Sequence, residues 1–331
     1  MGTIEELHTL TFSGTITHSK DISGLALGEH FVVIGSDEGT DIQILKKVAD
    51  REYRAEDGLI QLLDSETEID IEGIAHEGDT YYGVGSLALQ RKRVREDKTH
   101  RQNVKRIKRV EQENSKNHLF RLSLHPKNGK VETAIDKINH KDLLSQDEIL
   151  APFCHIPSKE NGVDIEGLAV DGGTLYLGFR GPVLRSNYVP IMTVEFDDRE
   201  DYKLLFVQLD GLGIRDLDRV HDGFLIVAGP VGDGAFPFAL YHWNGEDCLP
   251  GTAESPLGWL SVARLSRWVS CSLWPSAMQV LGCLASTFVR CSLRSFRLRC
   301  YSSAFSSHRS AAVSQPPKEA LHRRPCSGRR Q

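Results

Sequence analysis

Residues Asp164–Pro182 have the sequence DIEGLAVDGGTLYLGFRGP, which is the clearest copy of a repeated unit. It recurs in Asp70–Ser86 (DIEGIAHEGDTYYGVGS) and, more loosely, in Asp21–Gly39 and Gly213–Pro230. Each copy has a polar start, a Gly or Asp, two aliphatic positions, a short polar turn and a second apolar stretch containing Gly. Such alternation around a turn is typical of paired strands, so each copy predicts a β-hairpin.

The spacing of these copies predicts how they are arranged. Ile22 and Ile71 are 49 residues apart, as are Ile165 and Ile214, while Ile71 and Ile165 are 94 apart and enclose a charged insertion. A repeat of about 40 to 50 residues is the length of one four-stranded propeller blade. We therefore predict an all-β fold, a β-propeller with repeated four-stranded blades. Further strands are expected at 41–45, 118–124, 191–196, 203–209 and 238–243.

Charge divides the chain into two segments. The 331 residues carry a net charge of −5, but residues 1–250 hold 28 Lys and Arg against 43 Asp and Glu, and residues 251–331 hold 12 against 2. Two segments with such different charge rarely share one packed core. We expect a propeller domain over 1–250 and a separate basic tail over 251–331.

The tail is rich in Ser, Arg, Cys and Trp and shows no repeat. A disordered basic tail, a membrane-seeking segment and translation of a shifted reading frame are all consistent with this composition. The shifted frame is the favoured hypothesis, because disordered regions usually avoid Cys and Trp. A propeller that lost its last blade in this way would be truncated or damaged at its C-terminal end.

Cysteine usage and hydropathy bear on the compartment. Only Cys154 and Cys248 precede residue 251, and no run of 18 apolar residues occurs. A disulfide framework and a membrane span are therefore not expected. We predict a reducing, cytoplasmic location.

The insertion at 90–117 carries ten Lys and Arg within residues 91–109, opposed there only by Glu96 and Asp97. One interpretation is a patch for nucleic acid or nuclear targeting. The favoured one is a solvated loop or short helix between two strands of one blade, because the folded part is acidic and no aromatic residue interrupts the basic run. Nucleic acid is therefore not expected as a partner.

Several of these motifs also resemble a known family. DIEGIA, DIEGLA, LYLGFRGPVLRSN and GLGIRDL are similar to sequences of DUF3616, an uncharacterised bacterial domain family, over residues 10 to 250. The segment GFRGPVLR at 178–185 is the most specific part of this resemblance. The resemblance implies a propeller-like fold and no particular activity, and the sequence departs from the family pattern after residue 250.

Repeated carboxylates are the first candidate site: Asp70 and Glu72 in one repeat, Asp164 and Glu166 in another. Residues at i and i+2 of a strand share a face, and equivalent positions of successive blades converge around the propeller axis. Carboxylates gathered there repel each other unless they bind a cation or an arginine. One interpretation is a site for a divalent cation such as calcium. The favoured one is that each carboxylate accepts backbone N–H bonds at a blade turn, because structural repeats repeat their structural residues.

Arginines are the second candidate. Gly181 and Pro182 predict a turn that brings Arg180 and Arg185 to the same end of the blade, and a guanidinium suits bidentate contact with carboxylate or phosphate. An ion pair between these arginines and Asp164 or Glu166 is the competing interpretation. Arg215 and Asp216, in GLGIRDL, are assigned to the same binding group.

No GxSxG elbow, HExxH motif or complete phosphate-binding loop occurs, so the sequence does not decide whether the chain is an enzyme. We predict a module that binds a small molecule or a protein. The alternative is a metal-dependent hydrolase of phosphate or carboxylate esters. Propellers serve both classes.

Overall fold

The structure is a computed structural model that describes residues 4–56, 58–234 and 238–251, with side chains from Leu10 onward, and the backbone of four later strands. In chain order the strands are β1 (Ile4–Ser13), β2 (Ile22–Leu27), β3 (Phe31–Ser36), β4 (Asp41–Ala49), β5 (Glu52–Ala55), β6 (Ile60–Gln61), β7 (Ile71–Glu77), β8 (Thr80–Gly85), β9 (Gln90–Arg91), β10 (Val110–Glu111), β11 (His118–Ser123), β12 (Asp136–Asn139), β13 (Asp164–Asp171), β14 (Thr174–Gly181), β15 (Tyr188–Glu195), β16 (Lys203–Gln208), β17 (Gly213–Val220), β18 (Gly223–Gly229), β19 (Ala239–Trp243), β20 (Val262–Arg267), β21 (Cys283–Leu284), β22 (Thr287–Ser292) and β23 (Arg297–Ser303). The α-helices are α1 (His100–Ile107) and α2 (Lys141–Gln146).

The strands form the four blades of a β-propeller, which confirms the predicted fold class. The blades are antiparallel, with strand orders β2-β3-β4-β5, β7-β8-β11-β12, β13-β14-β15-β16 and β17-β18-β19-β20. Strand β1 runs parallel to β5 and antiparallel to β23. The first sheet therefore continues from β5 through β1 to β23, β22 and β21. The first strands of successive blades, β2, β7, β13 and β17, lie beside one another and are the innermost strands.

The hydrophobic core lies between the blades. One cluster joins the second and third blades through residues such as Val84 and Leu168, and another joins the third and fourth through Ala169 and Leu217. Alternation along each strand sends successive side chains to opposite neighbouring blades, which explains why nearly every position of β13 is buried. The hairpins predicted from the repeats therefore become blades whose two faces are both covered.

In the first three blades, a glycine on the innermost strand allows the blade to approach the next one. A Cβ atom built on Gly24 would lie 2.9 Å from Cγ1 of Ile74, and one on Gly73 would lie 2.8 Å from Cβ of Leu168. At Gly167 the corresponding distance, to Cβ of Leu217, is 2.8 Å. Real side chains do not tolerate such contacts, so the glycine of each repeat is required by the packing of its neighbour.

The charged insertion connects β8 to β11 within the second blade. It forms a small hairpin of β9 and β10 that carries α1 at its far end. Thr99 and Gln102 form a capping box at the start of α1, and the helix has no buried residue. The insertion is thus a short helix on a hairpin, as the favoured interpretation of the sequence proposed. In the parts of the chain that the structure describes, no helix is long and apolar enough to cross a membrane.

Candidate functional site

Each innermost strand has a β-bulge at the same repeat position. The pairing register skips one residue in all four strands, directly after the first buried isoleucine of each. The skipped residues are Ser23, Glu72, Glu166 and Arg215. Because a bulge leaves its residue out of the ladder and re-aims its side chain, these four equivalent positions form one set. The repeat therefore provides a serine, two glutamates and an arginine at the inner strands.

Arg180, on β14, joins two of the predicted carboxylates. Its guanidinium contacts the carboxylates of Asp164 and Glu166, and its Nη2 lies 3.3 Å from the Ser158 hydroxyl. Asp164 and Glu166 are only 1% and 2% exposed, and Arg180 only 7%. Charges so fully removed from water require compensating partners, and here the arginine lies between two acids.

A second arginine reaches Glu166 from the fourth blade. Nε of Arg215 lies 2.6 Å from Oε2 of Glu166. Glu166 therefore lies between Arg180 of its own blade and Arg215 of the next, so the contact links two blades. We call the group Glu72, Asp164, Glu166, Arg180 and Arg215 the carboxylate–arginine cluster.

Negative charge exceeds positive charge in this cluster. Burial, with Glu166, Asp70 and Asp164 nearby, raises the pKa of Glu72 well above its usual value. Burial raises the pKa of Asp164 to about 7, against the opposing effect of Arg180. Oδ1 of Asp164 accepts no hydrogen bond from any described residue. The raised pKa values of Glu72 and Asp164 reflect a surplus of buried negative charge that the two arginines do not balance.

Asp70, the first carboxylate of its repeat, has partners of its own. Its Oδ2 accepts a 2.6 Å hydrogen bond from the Ser86 hydroxyl and lies 3.2 Å from Nζ of Lys116. Lys116 is buried and also contacts Glu113, at 3.1 Å. The two carboxylates of this repeat therefore have different surroundings. Asp70 forms an ion pair with Lys116, and Glu72 belongs to the carboxylate–arginine cluster.

Asp216 extends the acidic side of the cluster along β17. Its Oδ1 accepts a 2.9 Å hydrogen bond from the Leu217 N–H, and burial together with nearby Glu166 raises its pKa to about 7. Two residues on, burial and Asp216 raise the pKa of Asp218 well above its usual value. Oδ2 of Asp218 is buried without a hydrogen-bond partner among the described residues. The fourth blade therefore presents two protonatable carboxylates next to Arg215.

Arg185 lies apart from this group. It is exposed, in the turn of residues 185–187 that follows β14, and makes no ion pair with a described residue. As for metal, no three His, Cys, Asp or Glu side chains in the described ranges are placed to hold an ion. The predicted cation site at Asp70, Glu72, Asp164 and Glu166 thus stays a prediction. For the arginines, the structure contains ion pairs of Arg180 with Asp164 and Glu166, the contacts that the competing interpretation of the sequence named.

Three residues at or near the candidate site were not predicted from the sequence. Ser23 shares the bulge position, and its buried hydroxyl donates to the Ile71 carbonyl of the next blade. Asp218 stands where the other repeats have Ala26, Ala75 and Ala169. Strict column-by-column alignment of the repeats would have found both. Lys116, in contrast, lies in the insertion outside any repeat, so no pattern in the sequence indicated it.

Known proteins offer little more than the family. No curated protein matches this sequence. Among solved structures, it is similar to Kuenenia stuttgartiensis hydrazine synthase (11% identity, 68% of this chain and 46% of that chain, TM-score 0.36). It is also similar to a putative 6-phosphogluconolactonase from Bacteroides uniformis (15%, 68% and 51%, TM-score 0.34) and to the WD40 β-propeller domain of Doa1 (10%, 87% and 66%, TM-score 0.34). The chain spans about half the length of the first two.

These similarities are too weak in identity and TM-score to carry an argument about function. The family comparison is specific. Residues 21–253 match the protein family of unknown function DUF3616, and this range contains all four innermost strands and the whole carboxylate–arginine cluster. The chain therefore belongs to the DUF3616 family.

Proposed function

We propose that this protein is a ligand-binding propeller, and that the carboxylate–arginine cluster binds a positively charged group of a small molecule or peptide. The observation that carries the proposal is the surplus of acid. Glu72, Asp164 and Glu166 face only two guanidinium groups, and Asp216 adds a fourth carboxylate. A cationic group would supply the missing charge and donate to the partly exposed carboxylates of Glu72 and Asp216.

The cluster has a route to such a ligand. Glu72 and Asp216 are half-buried, and the Arg215 side chain is 17% exposed, so part of the cluster is accessible although Asp164 and Glu166 are not. The buried arginine ion pairs fix these inner carboxylates, and the accessible ones are left for the ligand. Such preorganisation reduces the cost of ordering a binding site.

A divalent cation such as calcium is the second candidate ligand, because it would use the same carboxylates. Calcium takes six to eight oxygen ligands, and the guanidinium groups that already contact Asp164 and Glu166 compete with it. An organic cation that hydrogen-bonds to one or two carboxylates is compatible with both arginines. For the same reason the metal-dependent hydrolase is not favoured.

Thermal melts and calorimetry of the full chain test this function with spermidine, agmatine and calcium chloride as probes. We expect an organic cation to raise the melting temperature and to release protons on binding, because a nearby positive charge lowers the raised pKa values of the carboxylates around it. The binding enthalpy should then differ between phosphate and Tris buffers. If calcium chloride stabilises the chain and neither spermidine nor agmatine does, the result favours the metal site.

The matched variants are Glu72→Gln in the cluster and Glu29→Gln at the exposed turn after β2. Glu72→Gln should weaken binding at least about tenfold, the equivalent of one lost charge-assisted hydrogen bond. Glu29→Gln should leave it unchanged. If none of the three probes stabilises the chain, or if both variants behave alike, the cluster is structural and the proposed function is wrong.

A further inference from the structure

The insertion is a positively charged surface on an otherwise acidic domain. We call residues 91–109 the basic arm; they carry ten Lys and Arg against two acids. Outside the arm, residues 1–250 carry 18 Lys and Arg against 41 Asp and Glu. A capping box stabilises the start of α1, and Asn103 and Arg106 donate hydrogen bonds to backbone carbonyls of the preceding segment.

Exposed apolar side chains lie in the arm and directly after it. Val94, Val104 and Ile107 of the arm are 58%, 36% and 48% exposed and the adjoining Val110 is 41% exposed, and together they account for most of the large exposed hydrophobic residues of the described chain. Val104 and Ile107 lie on the same face of α1, because residues three apart on a helix are neighbours. Single exposed apolar residues are ordinary, but four within one short basic segment indicate a contact surface.

A surface of opposite charge lies on the third blade. The turn between β15 and β16 exposes Asp198, Glu200 and Asp201, and the Tyr202 hydroxyl that follows donates a 2.8 Å hydrogen bond to Asp147. This bond brings the turn next to Glu148 and to Ile149, which is 40% exposed. We call Glu148, Ile149, Asp198, Glu200 and Asp201 the acidic patch. It combines negative charge with one exposed apolar side chain, as the arm combines positive charge with several.

We propose that the basic arm of one molecule binds the acidic patch of a second copy of this chain. The two surfaces are complementary in charge, and Ile149 offers an apolar contact to Val104 and Ile107. Nucleic acid fits less well, because the arm has no aromatic residue and the rest of the domain would repel a polyanion. Since the two surfaces differ, the contact is heterologous and allows more than two copies to associate.

Sedimentation velocity on the full chain tests this proposal. We expect the mass average to rise with protein concentration at low salt, about 50 mM, and to fall to the monomer value near 0.5 M, where screening acts over a few ångströms. Reversal of the arm (Arg101→Glu, Lys105→Glu, Lys108→Glu) should abolish association, and so should reversal of the patch (Asp198→Lys, Glu200→Lys, Asp201→Lys). Both sets combined in one chain should restore it.

The control variant reverses three exposed cations elsewhere, Lys20, Lys127 and Lys130, to glutamate and should associate like the unmodified chain. Circular dichroism checks that each variant is folded. A chain that stays monomeric at low salt would overturn the proposal, as would a combined variant that does not associate. The proposal is also wrong if arm reversal abolishes binding to a DNA duplex or to phosphatidylserine vesicles but leaves self-association intact.

Discussion

Arg180 is the residue on which the inner charges depend. It contacts both Asp164 and Glu166 and is almost completely buried. Removing one partner of a buried ion pair leaves an uncompensated charge, which costs about 3 to 5 kcal/mol. We therefore predict that Arg180→Leu lowers the free energy of unfolding by about this amount, measured by urea denaturation at pH 8.

The chain supplies a matched control for this change five residues away. Arg185 belongs to the same GFRGPVLR segment but is exposed. Arg185→Leu should change the free energy of unfolding by no more than about 0.5 kcal/mol. An equal effect of the two substitutions would show that the loss comes from the segment and not from the buried ion pairs.

His140 gives a second prediction for a single residue. It is 3% exposed, neither ring nitrogen has a hydrogen-bond partner among the described residues, and burial lowers its pKa to about 3. Between pH 6.5 and pH 3 the unfolded chain therefore binds a proton that the folded chain does not, so stability falls as the pH falls.

The contribution of His140 approaches about 1.4 kcal/mol for each pH unit in that window. In urea denaturation at pH 7 and pH 5, His140→Leu should lose less stability between the two pH values than the unmodified chain does. The exposed His100 is the control, and His100→Gln should keep the original dependence. An unchanged dependence in His140→Leu would contradict the buried neutral state.

At the scale of the element, the innermost strands show where one blade differs from the rest. The position occupied by Gly24, Gly73 and Gly167 allows the next blade to pack closely, but β17 has Asp216 there. The position filled by alanine in the other blades is Asp218 in β17. The fourth blade thus lacks the small residues with which the first three meet their neighbours, and carries carboxylates in their place.

This difference predicts an unusual pH dependence. Asp216 has a folded pKa of about 7 and an ordinary value near 3.8 when unfolded, so the folded chain loses stability as the pH rises through that window. Asp216→Asn should remove this loss, and its advantage over the unmodified chain should grow from pH 4 to pH 7, by at most about 1.4 kcal/mol per pH unit. Urea denaturation across this range measures it.

The control introduces an aspartate at the equivalent position of the third blade, where the chain has Gly167. Gly167→Asp would place a side chain against Leu217 and a charge between two packed blades, so it should destabilise the chain at every pH above 4. If Asp216→Asn shows no pH-dependent advantage, the pKa of Asp216 is not raised in the folded chain. Burial and the nearby Glu166 would then have no effect on its ionisation, contrary to this prediction.

The elements also show what sequence could and could not predict. Hairpins and blades follow from the alternation and spacing of the repeats, which are local properties. The bulge does not, because Glu72 and Glu166 look like ordinary alternating residues until the pairing register of β7 and β13 is known. Likewise Lys116 meets Asp70 only through the path of the insertion, and the exposure of Arg185 depends on the turn at 185–187.

Charge is distributed unevenly over the propeller as a whole. Within residues 1–250, Asp and Glu outnumber Lys and Arg by 41 to 18 outside the basic arm, whereas the arm, on the insertion that connects β8 to β11, carries ten Lys and Arg against two acids. Because α1 has no buried residue, this insertion adds no hydrophobic core to the domain. Charge distribution and fold are therefore separable, and one can be changed without the other.

Removal of the basic arm tests that separation directly. The backbone N–H of Lys92 donates to the Arg109 carbonyl at 3.0 Å, so an Asn-Gly turn in place of residues 93–108 can close the β9–β10 hairpin. We expect the melting temperature to change by only about 2 °C, because the helix packs on nothing that unfolds with the blades and a shorter loop costs less entropy to close. The circular dichroism spectrum should lose only the contribution of one short helix.

The control removes α2, a helix whose Leu144 is buried. This removal should lower the melting temperature by several times as much. A large loss on removal of the arm would show that the insertion supports the second blade, and that charge and fold are coupled in this propeller.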